Sequence, residues 1–131
     1  MIAVDTNVLA RYLLADDRRQ AAIAAALLEG RAQFTAPPTV ILELVWVLES
    51  CGCSRADVAR GLRLLFGLPN FQPREPEALW FALAYYERGL DFGDALHIAL
   101  SAKEDEFVTF DRALVKQAAK AGTTPGAAAA R

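Results

Sequence analysis

A chain of 131 residues with 54% hydrophobic content is long enough to close a core of its own as one domain. Its 14 Lys and Arg against 16 Asp and Glu leave a formal net charge of -2, which excludes a global basic field and confines any nucleic-acid contact to local patches. No apolar run approaches the length of a membrane span, and Asp5 and Arg11 interrupt the apolar start too early for a signal peptide, so a cytoplasmic protein with no membrane contact is expected.

In chain order, residues 2–4 predict a short apolar strand that Asp5 ends. Thr6 or Asn7 then caps a helix to about residue 15, with Val8, Leu9, Tyr12 and Leu13 as its apolar stripe. Asp16 and Asp17 break that pattern and open a second helix over 18–29. A strand is expected over 32–35, and Pro37-Pro38 starts a helix to about residue 50. Cys51 and Cys53 follow with one glycine between them, poorly spaced for a relaxed disulfide, and are read as turn residues rather than redox or metal groups. Ser54 or Asp57 opens a helix to residue 66. Residues 70–72 read as a short strand, 75–88 as a helix, 91 or 92 to 103 as a helix of small and apolar residues, 107–110 as a strong strand ending at Asp111, and 112–121 as the last helix. The segment 122–131 carries too little apolar bulk to pack and is expected to be a flexible tail on a single domain of residues 1–121. Strands separated by helices predict an α/β fold of three layers, with a central parallel sheet of four or five strands.

Four acids are embedded in apolar stretches: Asp5 after Ile2-Ala3-Val4, Glu43 within Val40-Ile-Leu-Glu-Leu-Val-Trp46, Asp94 within Phe92-Gly-Asp-Ala-Leu, and Asp111 after Phe107-Val-Thr-Phe. An ionised carboxylate in such surroundings is costly unless paired, hydrogen-bonded or bound to metal, and none of the four has an evident basic partner on its own helix face or strand. In a parallel sheet, ligands collect beyond the carboxyl ends of the strands, where Asp5 and Asp111 both fall. Glu43 has Thr39 and Val40 one turn before it and Trp46 and Val47 one turn after, which predicts an inward-facing side chain. Asp94, between Leu90-Asp91 and His97-Ile98, is expected to be half inward. Helix capping serves Asp5 and Asp111 as well as ligation does, and the helix dipole favours an acid at Asp94, whereas Glu43 lies mid-helix with no Lys or Arg three or four residues away. His97 is read as a surface or packing residue, and Asp91 either caps its helix or rims the acidic site.

With these residues quoted, the chain resembles the PIN-domain proteins, and most nearly the VapC toxins of bacterial toxin–antitoxin pairs. The resemblance rests on Val4-Asp5-Thr6-Asn7, on Glu43 with its flanking apolar run, on Asp91-Phe-Gly-Asp94-Ala-Leu-His97-Ile-Ala, and on Val108-Thr109-Phe110-Asp111, and it covers residues 1–121. It implies that Asp5, Glu43, Asp94 and Asp111 are catalytic metal-site acids, and that Thr6, Asn7 and Thr109 support them by hydrogen bonding. It further implies an RNA substrate, a small VapB-like antitoxin as partner, and a homodimer. The sequence departs from the family pattern after residue 121, where Gly122-Thr-Thr-Pro-Gly stands in place of the expected last apolar strand.

An oxygen-only ligand set favours Mg²⁺ or Mn²⁺ over zinc, and such ions support in-line hydrolysis of a phosphodiester without a protein nucleophile. The expected activity is therefore a metal-dependent endoribonuclease. Arg11, Arg112 and Lys116 are candidates for holding the RNA backbone. Leu13, Leu14, Leu27, Leu28 and Val45 are candidates for a partner surface, although core packing explains them equally. An aspartate-based phosphatase is disfavoured because Asn7 replaces the second acid of the Asp-X-Asp pattern and no lysine follows a later strand. A catalytically silent PIN-like binding module, with structural acids, is the remaining alternative.

Overall fold

A computed structural model describes all residues 1–131. The chain forms two compact units, Met1–Pro76 and Glu77–Arg131. No helix is long and apolar enough to cross a membrane.

The first unit opens with β1 (Ile2–Ala3), followed by α1 (Thr6–Leu14), α2 (Arg18–Leu28), β2 (Phe34–Thr35), α3 (Pro38–Ser50) and α4 (Arg55–Phe66). Strands β1 and β2 pair in parallel, Ile2 opposite Phe34 and Ala3 opposite Thr35, and the ladder is extended by Val4 N donating to Thr35 O at 2.9 Å. On the other side of Phe34 the expected strand at 70–72 contracts to a single parallel bridge with Phe71, made by Phe34 N to Asn70 O and Gln72 N to Phe34 O at 2.8 and 3.0 Å. Buried Asn70 also donates to Ala32 O at 3.0 Å, so its amide holds the approach to β2.

Helix α1 stops at Ala15, which takes a left-handed conformation (φ 52) and returns its N–H to Arg11 O. Asp17 then caps α2. The α1–α2 corner is pinned by Arg11 Nη1, which donates to both carboxylate oxygens of Asp16 at 2.9 Å, and by Tyr12 Oη donating to Glu29 at 2.8 Å. Partial burial, reinforced by that carboxylate, pushes the Tyr12 phenol up to about 12. Helix α3 presents Ile41, Leu44, Val45 and Leu48 to the core, all essentially buried. A reciprocal Ser54–Asp57 capping box starts α4.

The second unit contains α5 (Pro76–Glu87, its first residue closing the first unit), α6 (Phe92–Leu100), β3 (Phe107–Thr109), α7 (Arg112–Ala121) and β4 (Ala127–Ala129). Gly89, at φ 113, makes the turn that ends α5, and Tyr86 and Phe92 pack edge to face across it with ring centres 5.6 Å apart. Helix α6 ends at Leu100, earlier than expected, and Ser101 returns its hydroxyl to His97 O.

Two sequence expectations are corrected here. The sheet is not a continuous one of four or five strands: β1–β2 and β3–β4 are separate two-stranded parallel ladders. Each strand has only two or three residues: β1 and β3 are closed by the helix-capping acids Asp5 and Asp111, and β2 by Pro37, which starts α3. The segment after residue 121 is not a loose tail. Ala127–Ala129 pairs with Phe107–Thr109, Ala130 N donates to Thr109 O at 2.8 Å, and Thr124 N donates to Tyr85 Oη at 3.1 Å. Main-chain pairing supplies the order, for which alanine side chains are sufficient.

Candidate active site

In the first unit, Asp5 follows β1 in extended backbone (φ -87, ψ 165) and caps α1, its Oδ1 accepting from Thr6 N at 2.8 Å. Thr6 is buried, and its hydroxyl donates to Glu43 Oε1. Two residues 37 positions apart are thereby linked, and Glu43 is steadied beside the helix that Asp5 starts. Glu43 itself is exposed, contrary to the inward orientation read from its neighbours. The physical reason lies in the helix period: Ile41, Leu44, Val45 and Leu48 form the buried stripe, which turns Glu43 and the half-exposed Trp46 to the opposite side. The same packing removes Leu28 and Val45 from any outer surface, since both are fully buried.

In the second unit, Asp91 caps α6 by accepting from Asp94 N at 3.1 Å, and Asp94 sits half-buried in the first turn. Asp111 follows β3 and caps α7, accepting from Leu114 N at 3.0 Å, while its own N–H donates to Thr109 Oγ1 at 3.0 Å. Burial raises the Asp94 carboxyl above the usual range, the charges of Asp91 and Asp111 raise it further, and exposed His97 opposes them. Three acids brought in from a helix start, a first turn and a strand end thus share one field.

None of Asp5, Glu43, Asp94 and Asp111 is in an ion pair. Arg11 and Arg60 face Asp16 and Asp57 instead. Capping and ligation do not exclude one another: Asp5, Glu43, Asp91 and Asp111 each give one oxygen to a hydrogen bond that fixes the carboxylate.

The profile of the PIN domain family matches residues 2–120. The chain belongs to the PIN domain family. Comparison with curated proteins and with solved structures gives no match. PIN domains are generally metal-dependent nucleases that act on RNA or DNA.

The donor set of this PIN domain suits such an ion: every candidate group is a hard carboxylate oxygen, which favours Mg²⁺ or Mn²⁺. No three His, Cys, Asp or Glu side chains are gathered closely enough to form a closed cage. Cys51 and Cys53 are free thiols, and burial pushes the Cys53 thiol up with help from Asp57 and Cys51, away from nucleophilic reactivity.

The remaining candidates divide. Asn7 is exposed and lines a cavity of about 230 Å³ with Val8, Arg11, Gln20, Ile23, Ala24 and Leu27. Arg11 has its fork committed to Asp16 and Gln20. Arg112 and Lys116 are exposed along α7. Sequence reasoning missed Phe110, taken as the end of the strand; it is 90% exposed between Thr109 and Asp111. Its position directly before a capping acid, where a strand must stop, was the available signal.

Proposed function

We propose that this PIN domain is a Mg²⁺- or Mn²⁺-dependent endoribonuclease, the VapC-like toxin of a toxin–antitoxin pair. The observation that carries the reading is the set of four carboxylates, Asp5, Glu43, Asp94 and Asp111, none offset by a lysine or arginine. They would hold the ion, which when bound supplies polarisation of the scissile phosphodiester and a water activated for in-line attack. The protein's own contribution is orientation. Thr6 fixes Glu43, Thr109 shapes the turn that aims Asp111, and Asp91 holds the first turn of α6 that carries Asp94. Arg112 and Lys116 steady the phosphate backbone. A VapB-like antitoxin and a homodimer complete the proposal, with exposed Ile23, Leu27 and Leu64 as apolar surface on α2 and α4.

A second reading, a catalytically silent PIN-like binding module, is favoured by the capping duty of Asp5, Asp91 and Asp111. Cleavage of a mixed single-stranded RNA pool by partner-free protein separates the two. The nuclease reading expects cutting by the wild type in Mg²⁺ or Mn²⁺, stopped by chelator and lost in Asp5→Asn and Asp94→Asn prepared identically. Equal cutting by all three proteins, or none by a folded wild type, sinks it.

A further inference from the structure

Phe110 is 90% exposed, far above every other large apolar side chain, of which the next, Met1, is 67% exposed. Single exposed apolar residues are ordinary on a protein surface, but this one is not on a loose segment. Thr109 O before it accepts from Ala130 N at 2.8 Å, and Asp111 after it is fixed through Thr109 Oγ1 and Leu114 N, each at 3.0 Å. The ring is therefore held out into solvent on an anchored turn, next to one of the acids. Val108, within β3, is also exposed.

Beyond Asp111, α7 carries Arg112, Lys116 and Lys120 at four-residue spacing, all exposed and none in an ion pair. Successive members of such a series rise about 6 Å along the helix and stay on one side of it. The opposite side, Leu114, Ala118 and Ala121, is buried. Lys116 and Lys120 border a shallow depression of about 480 Å³ with Ala113, Gln117 and Ala119. The acids of this region, Glu104, Asp105 and Glu106, precede β3 and so lie at its other end.

An exposed ring continued by a row of unpaired cations is the combination that holds single-stranded nucleic acid, in which bases stack on aromatics and the backbone follows positive charge. Phe110 directly precedes Asp111, one of the acids proposed to hold the ion, so a base stacked on its ring adjoins the reacting phosphodiester. We infer that Phe110 stacks on the base beside the bond that is cut, with Arg112, Lys116 and Lys120 carrying the adjoining backbone. Phe110 is thus a substrate-binding residue of the proposed ribonuclease. The inference rests on the nuclease reading, and its test is arranged to tell the two apart.

The test measures kcat/KM on a short RNA cut by the wild type, and on copies lacking the base on either side of the cut. Phe110→Ala is expected to lower kcat/KM about ten-fold or more, Phe110→Tyr to retain it, and the loss to vanish on the copy lacking the stacked base. Melting temperature should not move, because the side chain packs on nothing. Lys120→Ala should weaken binding of every sequence alike and lower the salt slope by about one. Phe110→Ala acting as wild type on all copies overturns the stacking inference and leaves the nuclease reading intact, pointing to a protein partner for the ring. Activity that persists in Asp94→Asn, or a wild type that cuts no RNA, overturns both.

Discussion

Asp5 and Glu43 in the first unit are both held by Thr6, the one by its main-chain N–H and the other by its hydroxyl, whereas Asp91, Asp94 and Asp111 in the second are joined by repulsion. In the first case buried Thr6 donates a hydrogen bond, so the geometry is fixed by an attractive contact. In the second, a half-buried carboxyl is raised by desolvation and by two like charges, with only His97 opposing. The comparison separates two jobs that one acidic residue can do. A carboxylate held by a neutral donor is positioned at little electrostatic cost, while one crowded by its neighbours stores a demand for positive charge.

The largest effect that would break this comparison is on activity. Asp94→Asn should lower metal-dependent cleavage by more than about a hundred-fold, because it removes a carboxylate proposed to hold the ion. A loss of less than ten-fold in a turnover assay would show that Asp94 is a helix-start residue and no more. Next in size, Thr6→Val should reduce cleavage about 10- to 100-fold by releasing Glu43, at a stability cost of about 1 kcal/mol. Thr6→Ser should restore both in denaturant titration and activity assays. If Thr6→Val destabilises without touching activity, the hydroxyl serves only the fold. Arg112→Ala and Lys116→Ala should each weaken RNA binding across sequences and lower the salt slope by about one. Arg11→Ala, whose guanidinium is already engaged by Asp16 and Gln20, should leave that slope unchanged.

The smallest effect concerns pH. The folded-state pKa of Asp94 lies above its unfolded value, so its ionisation works against folding. The metal-free wild type should have this group's contribution in full below the ordinary carboxylate range and lose it as pH rises through the raised value. Asp94→Asn has no proton to give up there, so it should show a flatter pH profile and be at least as stable as wild type at neutral pH. Lower stability of Asp94→Asn in thermal scans between pH 4 and 7 would reverse the sign of that argument.

Much of this was legible in the sequence, and the failures follow a pattern. Helices were readable because their caps are local: Asp17, Ser54 and Asp111 each bond within the next three residues. Membership of the family was readable because the acids stand in order along nearly the whole chain. The sheet was not, since strands of two or three residues leave too few positions for alternation to register, and β4 is all alanine. Glu43 was misjudged because α3 is apolar almost all round, so its sequence neighbours did not reveal which stripe packs inward. Phe110 was missed for a related reason: an aromatic after an apolar strand reads as core, and only the cap at Asp111 turns it outward.

The claim at the centre is that these carboxylates are kept unpaired for a divalent ion, and calorimetric titration with Mn²⁺ tests it without any substrate. The wild type should bind saturably and gain about 2.7 kcal/mol of stability at a free concentration of 100 Kd. Asp5→Asn, Glu43→Gln, Asp94→Asn and Asp111→Asn, each folded by circular dichroism, should lose most of that binding. An identical Mn²⁺ response in the wild type and all four variants would contradict the account and leave the acids as caps.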